Sequence, residues 1–556
     1  MNRTKNNAQT KGETLSRYSK SIIFMILVLI SSIRAYSQEW EYRYDYVYED
    51  GECITYQDVK ELNLGGYIMS SSYYYRNNGV GDFYSGHPAL AVFSEEGEVI
   101  AERVFLKSGY RGKFPYILET EDNELIAIGA YNPDRDDSYF NYNPEVKDAI
   151  LYFYRLDYDL NKLDSVEYHI AIDTAITTHF PMAPNEHNGQ IILFSLIEDE
   201  GNIVGVYSKR MSWVTPGGST SNDTLFFFRM NYEGEIIQEN HVEMDGNYSP
   251  GPYSAFSHQL VRAGDNYILY VSGKPLVEPD EDLVGKNCTM MYLDKDLNLV
   301  HFRYMEYSSE TTLNTVTVKR TTDNTTLISG RCDLNDGSDV NVRILEVNDD
   351  RNDFYIKRYK ERGTKSYDDF PAIVRCLDFR NEDEIFWCYG LGYGFTVNHD
   401  SYLMIEKMDR EMRTISEVYY DIDDYPTETW GRSILATKDG GIILVGDTKS
   451  LSYPRTFESF VVKYPAEAFL TIEGAHENNL RTAIVYPNPG RGEMNIRTAL
   501  PEGRIEVYDI MGKVIYKQDI TEEVTKIPTE GWAKGMYLWR VYSEGKEAES
   551  GKWVKQ

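Results

Sequence analysis

ILETEDNELIAIGAY, residues 117 to 131, places two short apolar runs on either side of an acidic centre, and the second run ends at Gly129. Isoleucine and leucine alternating with small or polar residues suit strands. Asp122-Asn123 between them suits a tight turn, because both side chains bond back to their own backbone and tolerate a left-handed conformation. The same arrangement returns along the chain at ELNLGGYIMSSS (61 to 72), APNEHNGQIILFSL (183 to 196) and VRAGDNYILYVSG (261 to 273). KRTTDNTTLISG (319 to 330), DFRNEDEIFWCYG (378 to 390) and ATKDGGIILVGD (436 to 447) continue it. A second unit interleaves with the first, an apolar strand closing on an acidic turn and then a more polar strand. It is seen at LAVFSEEGEVIAERVF (90 to 105), YFYRLDYDLNKLDSVEY (152 to 168) and FFFRMNYEGEIIQENHV (226 to 242), then near 290, 342 and 404. Together they make about four strands per repeat at a period of roughly 60 residues.

Seven copies of the first unit predict an all-β protein whose body is a seven-bladed β-propeller. The seventh copy has a third strand at FESFVVKY (457 to 464) and no fourth. EWEYRYDYVYE (39 to 49), with Trp40, Tyr42, Tyr44 and Tyr46 in alternation, has no partner before it. That stretch is expected to complete the seventh blade and close the ring, which removes free sheet edges. The repeat resembles the sixty-residue propeller repeats of bacterial secreted proteins over residues 39 to 470. That resemblance bears on fold, since propellers host hydrolases, binding modules and structural proteins alike. Trp-Asp blade signatures and Asp-box runs are missing.

Bulk properties narrow the partners. The chain has 556 residues, 42% hydrophobic and 26% charged, with 13% aromatics including 46 tyrosines. Lysine and arginine total 57 against 88 acids, a formal charge of −31. A surface so acidic repels nucleic acid and anionic membrane. Residues 1 to 37 read as a signal peptide. Arg3, Lys5, Lys11, Arg17 and Lys20 precede the apolar run 21 to 33, and Ala35-Tyr36-Ser37 supplies a small-x-small cleavage pattern. Removing its six basic residues and one acidic one from −31 leaves −36, and no second apolar span follows in the mature chain. The five cysteines, Cys53, Cys288, Cys332, Cys376 and Cys388, have no C-x-x-C spacing and read as buried thiols.

Strand order also predicts where a ligand would bind. First-to-second and third-to-fourth turns share one face and are short: Asp122-Asn123, Asn188-Gly189, Asp265-Asn266, Asp323-Asn324 and Gly440-Gly441. The other connections vary in length, at 73 to 88, 131 to 148, 198 to 223, 274 to 287 and 390 to 401, and should crowd the opposite rim. Tyr75, Tyr84, Asp134, Asp136, Tyr139, Tyr142, Trp213 and Tyr393 on these segments are the candidate ligand-binding residues, aromatic and acidic groups suited to sugar rings or a protein partner. An equally open account is that the aromatics simply cover the blade tops. No catalytic constellation stands out. Asp134, Asp136 and Asp137 would serve a hydrolase with its site at the ring's central mouth, which is the alternative function. The histidines show no metal-ligand spacing, DLNDGSD (333 to 339) departs from a calcium loop at its Gly and closing acid, and no cofactor or metal is expected. Asp-Ser/Thr-apolar triplets at 164, 173 and 223 are as frequent as chance predicts.

After a polar linker at 471 to 483, the tail alternates in short strands and is expected to form a small Ig-like β-sandwich over 484 to 556. Pro487 and Pro489 around Asn488 fix an extended entry and mark where it starts. The ordered set Tyr486-Pro487-Asn488-Pro489, Tyr508-Asp509-x-x-Gly512, Gly535-x-Tyr537 and Lys552-Trp553-Val554-Lys555 resembles the type A C-terminal sorting domain of Bacteroidetes type IX secretion cargo. Met536 and the bulky Trp539 are its departures. The resemblance implies export of the folded body across the outer membrane. It also implies removal of the tail by a sortase-like enzyme, and display on the cell surface. The partners it implies are the secretion machinery and that enzyme, with an extracellular glycan or protein as a possible ligand.

Overall fold

The computed structural model describes residues 39–46, 52–75, 85–133, 148–172, 187–215, 218–244, 259–272, 288–304, 311–334, 340–362, 368–393, 402–420, 427–450, 457–469, 483–486, 490–498, 503–510, 512–521, 524–543 and 546–555. Among them, nine antiparallel sheets contain most residues. Seven sheets follow one another along the body, at 52–104, 110–171, 187–243, 259–304, 311–362, 368–420 and 427–464. The seventh has only three strands of its own. Trp40–Tyr46 supplies the fourth, antiparallel to Phe457–Tyr464, with Trp40 opposite Lys463 and Tyr46 opposite Phe457. The strand thought to close the ring does so.

Packing follows from this order. Seven apolar clusters occupy seven junctions, each built from two consecutive blades. Leu62, Ile68 and Leu90 of the first blade meet Leu125, Ile150 and Tyr152 of the second. At the seam, Ile54, Tyr56 and Met69 of the first meet Ile443, Val445 and Val461 of the seventh. The remaining five clusters join the blades between. Each fully buried aliphatic or aromatic side chain contributes roughly 1.5–3 kcal/mol, so the junctions, not single sheets, hold the ring together. Middle strands such as Asp148–Leu156 are covered on both faces and are apolar nearly throughout. Outer strands such as Ile236–Glu243 alternate half-buried with exposed positions.

The acidic turns work by a shared device. In the third-to-fourth turns a side-chain oxygen accepts the backbone N–H four residues on: Asp157 from Asn161 at 2.7 Å, Asn231 from Glu235 at 2.8 Å and Asp294 from Asn298 at 2.9 Å. The residue before that donor is left-handed. Gly234 accommodates it freely, but Leu160, Leu297 and Met412 hold φ of 61°, 62° and 60°. Such a conformation strains a branched side chain. Burial offsets the strain here, because Leu160 and Leu297 are fully enclosed in the neighbouring junctions.

First-to-second turns are stapled between blades. The Glu119 carboxylate accepts from Asn63 N–H at 2.9 Å, Glu382 accepts from Thr322 N–H, and Glu61 accepts from Lys438 N–H at 3.1 Å across the seam. In each case a carboxylate of one blade caps the turn of the blade before it.

The third blade corrects the expectation. Asn188-Gly189, read as a turn, lies inside the innermost strand His187–Asp199. The true turn is Glu200-Gly201, both left-handed at φ 50° and 76°. Nor is 198 to 223 a loop. Asn202–Thr215 and Gly218–Met230 pair from Ile203 opposite Met230 out to Thr215 opposite Gly218, one extended hairpin.

In the tail, Ala483–Tyr486, Glu493–Thr498 and Val524–Pro528 form one sheet. Gly503–Asp509, Val514–Ile520, Gly535–Ser543 and Lys546–Lys555 form the other. Met494, Ile496 and Ile527 of the first share a core with Val507, Trp539 and Trp553 of the second, giving the two-layered sandwich.

Candidate functional site

Each blade's innermost strand offers a free edge, and its backbone groups need partners. Neighbouring blades supply several. Ser72 Oγ accepts from Phe114 N–H at 3.1 Å, Ser195 Oγ from Leu260 N–H at 3.1 Å, and Thr317 Oγ1 from Cys376 N–H at 2.8 Å. Asn132 bonds Ile191 both ways, accepting its N–H at 2.7 Å and donating to its carbonyl at 2.9 Å.

These inner strands bulge. Gln57, Phe194, Val316 and Arg432 are single extra residues in the first, third, fifth and seventh blades. Larger bulges occur in the second and sixth. Gly112 faces Tyr131 and Tyr116 faces Ile128, so Lys113, Phe114 and Pro115 stand against only Gly129 and Ala130. Pro371 faces Tyr389 and Leu377 faces Trp387, so 372–376 stand against Cys388 alone. Bulges re-aim side chains that a regular strand would bury between blades.

The sixth-blade bulge lies along the inner edge of Thr427–Ala436, with Val374 N–H donating to Arg432 O at 2.7 Å. From it Arg375 reaches past the seventh blade into the first. Its Nη2 donates to Asp58 Oδ1 at 2.6 Å and its Nε to Ser433 Oγ at 3.1 Å, while Ser433 Oγ donates to Asp58 Oδ1 at 2.6 Å. Three blades are thereby tied at the axis. Asp58 is an occupied carboxylate, engaged by a guanidinium and a hydroxyl.

The second-blade bulge carries cations. Ser70 Oγ donates to Pro115 O at 2.6 Å and, with the Ser72 contact, pins the bulge to the first blade. Gly112 is required there, since a Cβ would sit 2.9 Å from Ala130 O and 3.0 Å from Pro88. Lys113 is exposed as a whole residue, although its ammonium lies close among other protein atoms. Burial, then Arg111 and Arg210, hold it below the usual lysine range. Arg111 stands opposite Asn132, Asn132 grips Ile191, and the adjoining Gln190 stands opposite Arg210, which links the three cations through strand pairing. Arg210 in turn holds the fully buried Asp223 at 3.0 Å. Burial pushes that carboxyl up, against the pull of Arg210. Tyr110 opposite Pro133 places Arg111 towards the face of the long connections.

Of the rim candidates, Tyr75, Trp213 and Tyr393 have described backbones only, opposite Ser85, Thr220 and Asp368 in the first, third and sixth blades. All three end strands on that same face, but not in adjacent blades. Tyr84, Asp134, Asp136, Tyr139 and Tyr142 lie outside the described residues, as do Pro487, Asn488 and Pro489 and the segment 1 to 37. Arg111, Lys113 and Arg210 went unnoticed in the sequence, because nothing before the fold joins residues so far apart in the chain. Cys376 and Cys388 face each other in the sixth blade, and burial pushes both thiols up, Cys376 to about 11.

The tail positions have structural roles. Asp509 Oδ1 accepts from Lys513 N–H at 2.9 Å around a left-handed Gly512 at φ 78°. Gly535 holds φ 147°, Tyr537 donates to Ala533 O at 2.6 Å, and buried Lys555 reaches Thr529 at 3.4 Å. Tyr508 donates to Glu506 at 2.5 Å. Lys552 is drawn down to about 8 by burial. Trp539 fits because Gly551 lies under it, where a Cβ would be 2.6 Å from Trp539 Cζ2. Gly551→Ala is therefore expected to cost about 1–3 kcal/mol through overpacking. Chemical denaturation of the full chain, followed by hydrogen exchange of the tail strands, would show it, and an unshifted midpoint for the tail would contradict the contact.

No curated protein matches this sequence. Among solved structures, a Dyadobacter fermentans protein described as of unknown function is 10% identical at a TM-score of 0.36, covering 65% of this chain and 96% of its own. PorZ, a surface component of the type IX secretion system of Porphyromonas gingivalis, is 9% identical at 0.24, covering 92% and 100%. Synechocystis apocarotenoid oxygenase is 10% identical at 0.35, covering 89% and 98%. Scores this low add nothing to the architecture read from strand pairing. Among the described residues, no helix is long and apolar enough to cross a membrane. The family model described as "Secretion system C-terminal sorting domain" matches residues 484–556, the two-sheet tail, and marks the chain as a type IX secretion cargo, secreted and sorted to the cell surface.

Proposed function

We propose that the body, residues 38 to 470, is a ligand-binding module for an extracellular glycan or protein. In this reading 1 to 37 is a cleaved leader, 471 to 483 a linker, and 484 to 556 the sorting tail handled by the secretion machinery and its sortase-like enzyme. The observation that carries the reading is the division of the ring. Short, hydrogen-bonded turns occupy one face, while the strands carrying Tyr75, Trp213 and Tyr393 run out to the other, and in this reading the connections with Tyr84, Asp134, Asp136, Tyr139 and Tyr142 join them there. Binding is favoured over hydrolysis because Asp58, a carboxylate near the axis, is already engaged by the Arg375 guanidinium and the Ser433 hydroxyl. A glycan and protein array probed with the mature chain, run beside a broad hydrolase panel, tests the reading. Saturable binding without turnover is expected, and turnover of a substrate with no binding to any ligand would overturn it.

A further inference from the structure

We propose that the outer edge of Gly218–Asn222, at the projecting end of the third blade, takes up an extended, basic polypeptide segment as an added strand. The inference rests on the binding-module reading and names a partner class for the long-connection face.

A difference in strand length leaves this edge open. Gly218–Met230 stays paired with Asn202–Thr215 out to Thr215 opposite Gly218, with no register shift. On its other side the fourth strand stops early, with Glu243 opposite Thr224 and Met244 N–H donating to Asp223 O at 2.8 Å. Among the described residues nothing pairs with the outer side beyond that bond. Backbone groups along a strand alternate in direction. Because Asp223 O points outward, Ser221 and Ser219 turn both N–H and C=O the same way, while Thr220 and Asn222 turn theirs to the paired strand. The root of this hairpin is firm, since Arg210 stands opposite the buried Asp223 and holds it at 3.0 Å.

The other outer edges are guarded. The fourth strands of the first six blades each shift register near their start, and such bulges twist an edge away from a second strand. Third strands elsewhere barely outrun the fourth: Ser85–His87 do so in the first blade, next to Pro88, and Tyr402 alone in the sixth. Gly-Ser-Thr-Ser-Asn carries no charge, no proline and no bulge, so it lacks the devices that keep edges from pairing. A straight edge read through its backbone takes a polypeptide strand, not a sugar. Charge selects the strand: a chain of −31 draws in a basic segment and repels an acidic one, and a second copy of itself with it.

The test pans the full mature chain against a random peptide library of about twelve residues, long enough to cover the edge at roughly 3.3 Å per residue. Selected peptides are expected to be rich in lysine, arginine and strand-forming residues. Their affinities are then measured for the natural chain, Ser221→Pro, Ser219→Pro and Ser221→Ala. Each proline removes one outward donor at a position where an edge strand tolerates it, and should weaken binding about tenfold with thermal unfolding unchanged. Ser221→Ala keeps the backbone and should bind as the natural chain does. In hydrogen exchange the Ser219 and Ser221 amides should exchange fast in the free chain and slowly with peptide bound. Should a proline variant fail to fold, peptides N-methylated at alternate residues decide, because blocking their ladder must abolish binding. The proposal fails if no peptide is selected, if the selected peptides are acidic, or if proline variants or N-methylated peptides bind undiminished. Slow exchange at Ser219 and Ser221 in the free chain also overturns it: independent of concentration, it means that the chain covers its own edge, and rising with concentration, that a second copy does. In all these cases a ligand found on the wider array leaves the binding module standing, whereas an empty array with no selected peptide removes both.

Discussion

A chain beginning at Asp50, without Trp40–Tyr46, is expected to lose its cooperative unfolding transition or to melt at least about 10 °C lower, and to self-associate. Trp40–Tyr46 pairs along its whole length with Phe457–Tyr464 and also grips the first blade. Trp40 Nε1 donates to Glu95 O at 2.8 Å, and its ring covers Gly97, where a Cβ would lie 2.4 Å from the indole. Tyr42 packs edge-on against Phe93 at 5.1 Å, and Tyr420 donates to Glu41 at 2.9 Å. Lys463, held by Glu39 at 2.9 Å and Asp439 at 2.8 Å, adds an ion pair at the strand's start. At roughly 0.5–1.5 kcal/mol for each net backbone hydrogen bond, plus the aromatic packing, the loss is about 5–10 kcal/mol, comparable with the whole stability of a typical domain. It also bares FESFVVKY, an apolar edge suited to pairing with other copies. Calorimetry and light scattering would decide. A truncated chain that stays monomeric and melts within two or three degrees of the full one would refute ring closure as the source of stability.

Glu406→Gln should cost about 3–5 kcal/mol, because it strands buried positive charge. Glu406 is fully enclosed between the fifth and sixth blades, bonded by Lys360 Nζ, by Arg362 Nε at 3.2 Å and Nη2 at 3.1 Å, and by Tyr389 at 3.3 Å. Glu417, at 3.3 Å from Arg362, completes a balanced quartet. Burial alone would raise the Glu406 carboxyl, but Arg362 and Lys360 outweigh it and hold it below the usual carboxylate range. A carboxyl depressed by folding contributes stability that is present above its ordinary titration, near pH 4.3. That contribution drains away as the pH falls through the folded value. Denaturant midpoints of the natural chain and Glu406→Gln should therefore differ fully at neutral pH and converge only as the pH is taken below about 4, towards the depressed folded value. A gap that stays constant well below that pH would mean that Glu406 acts through packing and not through charge.

Much of the ring was legible because local and global signals agreed. In ILETEDNELIAIGAY the turn residues Asp122-Asn123 sit where the chain turns, with Asn123 left-handed at φ 60°. The missing fourth strand of the seventh repeat and the unpartnered Trp40–Tyr46 alternation implied each other. The third blade misled because Asn188-Gly189 is a strong local turn signal that pairing with Met211 and Ser212 overrides. Its real turn, Glu200-Gly201, lies within a stretch of acids and glycines that reads as loop. Bulges break the two-residue period by which strands are recognised, so 113–115 and 372–376 had no signature. The cation site shares that obscurity, since only the hydrogen bonds of Asn132 bring Arg111 towards Arg210. In the tail, turn residues at fixed spacing announced themselves, while the accommodation of Trp539 by Gly551 needed coordinates.

Closure by the first strand sets a timetable. The piece that completes the circle is made first and is used last, after roughly 400 further residues have been threaded and stacked, a separation that slows assembly. Until Phe457–Tyr464 arrives, six finished sheets form an open arc with an apolar sheet face bare at each end. A chain delivered gradually through a membrane would pass through that arc every time, so helpers that shelter exposed strands in the receiving compartment should affect its yield more than that of proteins built from neighbouring contacts.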